Sequence, residues 1–135
     1  MRLFSAAVFV VSLGVAFPVL ASGDGHNHEA AVEAAPHGGN LRDSGKYKSE
    51  IVIAGDNVKI YFYDKKLKPV KAEAEKIQGE VEFPKQKRKP VTLTKSGDIY
   101  EGKIEGLGKV HRYDLHFNVV LQGTKFVADF GVDNI

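Results

Sequence analysis

The chain is 135 residues long, with 19 Lys and Arg against 17 Asp and Glu and neither Cys nor Trp. A formal charge of +2 excludes the strong basic stripe that nucleic-acid binding requires. The lack of Cys excludes disulfides, thiolate metal sites, thiol nucleophiles and a lipid-anchored amino terminus.

Residues 1–21 predict a cleavable signal peptide: Arg2 gives a positive start, Leu3 to Leu20 is almost wholly apolar, and Val19 and Ala21 are the small residues a signal peptidase accepts. An apolar run of about 20 residues can also span a bilayer. Gly14, Pro18 and the polar Ser22-Gly23-Asp24-Gly25 that follows favour removal over anchoring. The expected product is a periplasmic protein with no membrane span after processing, because a small exported domain without disulfides fits a Gram-negative periplasm best.

From residue 22 to 35 the chain is Gly, Ala, Glu and His with almost no large apolar side chain. Such a segment cannot offset its ordering entropy by burial, which predicts a disordered, His-containing tail. Pro36 marks the boundary of the domain, expected over residues 36–135.

Beyond Pro36 the hydrophobic period is two, with turn signals at short intervals. Strands are predicted over Lys46 to Ala54 and Val58 to Tyr63, joined by Gly55-Asp56-Asn57, then over Ile77 to Phe83, Val91 to Thr94 and Ile99 to Ile104. The clearest alternation follows, with Tyr113, Leu115, Phe117, Val119 and Leu121 inward and Arg112, Asp114, His116 and Asn118 outward. Gln122-Gly123 turns into a last strand, Thr124 to Gly131, with Phe126, Ala128 and Phe130 on one face. Pro69 demotes Leu67 to Glu75 to an edge or a connection. Seven short antiparallel strands predict an all-β, immunoglobulin-like sandwich.

The chemistry concentrates ahead of the first strand. His26, His28 and His37 lie close together, with Asp24 and Glu29 as neighbouring carboxylates. Imidazole is the commonest side-chain ligand for Zn2+, Cu2+ and Ni2+, so Asp24-Gly25-His26-Asn27-His28-Glu29 reads as a loose chelator; the same residues also suit a polar spacer. The only Met is the initiator, so the mature chain has no sulfur ligand to select Cu+, leaving Zn2+ or Cu2+, with Ni2+ and Co2+ also open. Cleavage after Gly23 instead of Ala21 would make His26 the third residue, a terminal arrangement that Cu2+ and Ni2+ favour. His111 and His116 lie on opposite faces of one strand and cannot chelate together. No nucleophile elbow, phosphate-cradling loop or helical His pair is present, so the chain reads as a non-enzyme.

Pro36-His37-Gly38-Gly39-Asn40 places a rigid residue, an imidazole and two permissive glycines directly before the first strand. His37-Gly38-Gly39, Gly45-Lys46-Tyr47-Lys48-Ser49-Glu50-Ile51-Val52-Ile53, Val58-Lys59-Ile60-Tyr61-Phe62-Tyr63-Asp64 and Lys68-Pro69-Val70 together resemble a small periplasmic HGG-motif β-sandwich domain. That domain is found alone or fused to the periplasmic adaptor subunits of heavy-metal efflux pumps. The resemblance spans about Pro36 to Ile135 and implies metal-related work, with His37 and Glu50 as ligands and an efflux-pump adaptor as partner. The family pattern often has His two residues before the Glu; Lys48 stands there in this chain, leaving such a site one ligand short unless the tail histidines complete it.

Two functions follow as expectations. One is a periplasmic accessory protein that captures or delivers a divalent transition metal in efflux or homeostasis. The alternative is a non-catalytic interaction module in which the histidines are incidental.

Overall fold

A computed structural model describes residues 33–134. The expected signal peptide and nearly all of the expected tail, with Asp24, His26, His28 and Glu29, lie outside the described residues. Eight strands follow in chain order: β1 Asn40–Ser44, β2 Tyr47–Ala54, β3 Asn57–Asp64, β4 Lys76–Glu82, β5 Lys89–Ser96, β6 Ile99–Lys103, β7 Arg112–Leu121 and β8 Thr124–Asp133. A single 3-10 turn, Leu107–Lys109, leads into β7. Among the described residues no helix is long and apolar enough to cross a membrane.

All pairings are antiparallel, in the order β1-β2-β3-β6-β5-β4-β7-β8. The outermost strands β1 and β8 approach one another, so the sheet curls nearly into a barrel. Arg42 Nη2 of β1 donates to the Gly131 carbonyl oxygen of β8 at 3.5 Å across the seam. Where the spacing predicts seven strands in two sheets, the structure has eight in one continuous order. The added strand is β1, paired with β2 from Asn40↔Ile51 to Ser44↔Tyr47. Its residues are exposed or half-buried throughout, so it carries no alternating signal, and Lys46 belongs to the turn that precedes β2.

The inward residues do follow the alternation. Tyr113, Leu115, Phe117, Val119 and Leu121 of β7 are buried, as are Ile51 of β2, Val58, Ile60 and Phe62 of β3, and Ala128, Phe130 and Val132 of β8. Val70 and Ala72 from the irregular segment after β3 also reach the core, and Tyr100 holds that segment through a 2.6 Å hydrogen bond from its hydroxyl to the Ala74 carbonyl oxygen. Burial of this apolar set is the dominant favourable term, at roughly 25 cal/mol per Å2. Close approach is tightest at Gly79: a Cβ there would sit 2.1 Å from the His116 carbonyl oxygen and 2.5 Å from Phe117 Cδ1. Only a residue without a side chain lets β4 and β7 pair at this point.

Candidate functional site

The outward face of the β2–β3 hairpin carries Lys48 and Glu50 on β2, with Tyr63 and Tyr61 as their respective cross-strand partners on β3. An outward strand carboxylate would ordinarily be solvated. Glu50 is instead fully buried, because the segment that leads into β1 folds back over it. The turn is closed by a 3.0 Å hydrogen bond from the Gly38 amide to the Ala35 carbonyl oxygen, with Pro36 and His37 between them. Gly39 then lies directly on β2, where a Cβ would be 2.2 Å from the Ile51 carbonyl oxygen and 2.9 Å from Val52 Cγ2. This contact holds the backbone amides within reach of the carboxylate.

Glu50 Oε2 accepts the Gly39 amide at 2.8 Å and the His37 amide at 3.0 Å, and Oε1 accepts the Tyr63 hydroxyl at 2.8 Å. His37 Nδ1 lies 3.1 Å from Glu50 Oε1 and 2.7 Å from the Tyr63 hydroxyl oxygen. The imidazole stacks on Tyr61, with ring centroids 3.8 Å apart and planes 17° from parallel. Burial alone would push the Glu50 carboxyl up, but the hydrogen bonds from Gly39, Tyr63 and His37 outweigh it and hold it below the ordinary carboxylate range. Burial, reinforced by the Glu50 charge, pushes the Tyr63 hydroxyl well above its usual range.

These facts assign the protons. Tyr63 keeps its hydrogen and donates a hydrogen bond with it to Glu50, so His37 Nδ1 faces two oxygens whose lone pairs are turned toward it. In the neutral ring Nδ1 must therefore carry the hydrogen. Nε2 keeps a free lone pair, and it has no hydrogen-bond partner among the described residues while the side chain is 45% exposed. A carboxylate behind Nδ1 that leaves Nε2 outward is the arrangement that fixes and strengthens a metal-ligating histidine.

The structure thus brings together His37 and Glu50 and adds Tyr61 and Tyr63, whose part was not read from the sequence. The available signal was two large aromatics on the outward face of one strand, opposite the charged face of its neighbour. Lys48 forms an ion pair with Glu33, which balances its charge beside the site. His111 is exposed, with Nδ1 3.1 Å from the Asn134 carbonyl oxygen. Among the described residues no three His, Cys, Asp or Glu side chains converge on one metal position. Comparison with known proteins finds no match: no family model, curated protein or solved structure is significantly similar to this chain.

Gly39→Ala is expected to unseat the loop without unfolding the barrel. Long-range 1H–15N spectra of the imidazoles should then show His37 as a freely solvated mixture of tautomers, with an unchanged far-ultraviolet circular dichroism spectrum. A His37 ring still locked as the Nδ1–H form in the variant would count against the close approach as the element that seats it.

Proposed function

We propose that this chain is a periplasmic accessory protein that binds a divalent transition-metal ion, for capture or for delivery to a partner in metal efflux or homeostasis. The observation that carries the reading is the His37 ring, tied at Nδ1 by Glu50 and Tyr63 and open at Nε2. Such an imidazole suits Zn2+ or Cu2+, and also Ni2+ or Co2+. On this reading Glu50 acts behind the ring, since its hydrogen-bonding capacity is filled by His37, Gly39 and Tyr63, and His37 is the point of attachment. Asp24, His26, His28 and Glu29 of the tail supply the further ligands that one imidazole lacks.

The resemblance to the periplasmic HGG-motif domain supports the same function and makes an efflux-pump adaptor the natural partner. Within this reading the protein is not an enzyme: the ordered groups form a docking point for an ion, and Tyr63, the hydroxyl closest to His37, is held too firmly protonated to serve as a nucleophile.

Calorimetric titration of the mature protein with Zn2+ and Cu2+ tests it. Saturable binding tighter than about 10 μM is expected, and His37→Ala should weaken the tightest site at least about tenfold. Binding no tighter than that threshold, or an affinity indifferent to His37→Ala, would overturn the assignment. A non-catalytic interaction module is the second reading, favoured by the exposure of Val120 and Val127 on the outer face of the β7–β8 hairpin; it predicts no such titration.

A further inference from the structure

A second histidine is prepared in the same way on a different wall of the barrel. His116 points outward from the middle of β7, with Glu80 as its cross-strand partner on β4 and Asp129 as its partner on β8. Its Nδ1 lies 2.5 Å from Asp129 Oδ1. A carboxylate only accepts, so Nδ1 carries the hydrogen, and in the neutral form of the ring the lone pair lies at Nε2. That Nε2 is shut off from solvent and has no hydrogen-bond partner, yet it lies 3.8 Å from Glu82 Oε2. Two facing acceptors are held together best by a positive charge between them, and Arg88 supplies one to Glu82 Oε2 only, leaving Nε2 without a partner.

A proton is a poor bridge across that gap, because an N–H to oxygen hydrogen bond closes at about 2.7–3.2 Å. A transition-metal ion is a good one. With metal–nitrogen and metal–oxygen bonds of about 2.0–2.2 Å, an ion touching both atoms at 3.8 Å subtends an angle of roughly 130°, open enough to leave room for water ligands. We propose that His116 Nε2 and Glu82 Oε2 form a second binding site for a divalent transition-metal ion, with Asp129 orienting the ring and water completing the coordination. Zn2+ is the natural occupant among hard and borderline ions, since one imidazole and one carboxylate suit it.

Arg88 is the competitor for this site. Its Nε donates to Glu82 Oε2 at 3.0 Å and its Nη1 to Glu80 Oε2 at 3.4 Å, from a side chain 54% exposed. Exposed ion pairs of this kind contribute little, so the guanidinium can swing into water as the metal arrives. The site is independent of His37, which lies on the wall made by β2 and β3.

The experiment uses full-length mature protein carrying His37→Ala, labelled with 15N and titrated with zinc chloride while the imidazole nitrogens are followed one by one. The His116 Nε2 resonance is expected to move to a saturating value. Glu82→Gln should weaken that response at least about tenfold, and Arg88→Ala should tighten it about threefold or more. Both substituted side chains are substantially exposed, so the fold is kept. A His116 ring unmoved by zinc up to about 1 mM, or an equal response in Glu82→Gln, would overturn the proposal.

Discussion

Glu50→Ala is expected to lower the melting temperature by about 8–32 °C and to weaken the proposed metal binding at His37 about tenfold or more. The variant leaves the His37 and Gly39 amides, the Tyr63 hydroxyl and the His37 ring without the acceptor they share. Removing one member of a buried network costs about 2–4 kcal/mol, and each kcal/mol is worth about 4–8 °C in a domain of this size. The effect on metal follows from releasing the ring, because outer-shell partners typically contribute 10–100-fold to affinity. Glu50→Gln keeps the shape but turns an amide NH2 toward donors on one side, so it should fall between the two.

The pH dependence has a definite sign. The folded-state pKa of Glu50 lies below its ordinary value of 4.5, so the ionised carboxylate stabilises the fold. That contribution is complete above about pH 4.5 and is lost as pH falls through the lowered value. Melting curves of the native protein and of Glu50→Gln should therefore be furthest apart near neutrality and converge on acidification. A gap that stays constant from about pH 7 down to pH 3 would mean that Glu50 is not the group whose ionisation matters.

Gly79→Ala carries the largest purely structural penalty. The added methyl group would be driven into the His116 carbonyl oxygen and the Phe117 ring at 2.1 and 2.5 Å. Backbone cannot give way there as a flexible side chain could, because β4 is held between β5 and β7. Overpacking of this kind costs about 3 kcal/mol or more, or roughly 12 °C and upward in melting temperature. Val127→Thr, at an exposed position on β8, is the matched control and should stay within about 0.5 kcal/mol. A Gly79→Ala protein as stable as that control would show that β4 and β7 can separate without loss.

Much of this architecture is legible in the residues and some of it is not, for identifiable reasons. β7 can be read outright, because each inward side chain is a large apolar group and nearly every outward one is polar. β1 cannot, since a strand at the seam with neither face in the core has no period to show. His37 and Glu50 stand out as residues, and the first strand already separates Glu50 from the core side. The burial of Glu50 is invisible at that level because it is produced by a loop lying across the outer face, a tertiary contact permitted by Gly39. The same limit hid the surroundings of His116. Its neighbours along the chain, Asp114 and Asn118, are the partners a linear reading offers, whereas register across three strands brings it Asp129 and Glu82 instead.

The contacts around Glu50 also differ from the barrel seam in when they can form. His37 and Glu50 are 13 residues apart, whereas the Arg42 to Gly131 contact that bridges β1 and β8 joins residues 89 apart. Chain statistics put the entropic cost of the longer closure about 1.7 kcal/mol above that of the shorter one. Long-range pairings also delay folding. A nascent chain emerging amino terminus first therefore has every residue of the His37, Glu50, Tyr61 and Tyr63 cluster in hand once Asp64 has emerged, while the seam must wait for nearly the whole domain. The His37 imidazole belongs to the part of the molecule that is complete earliest.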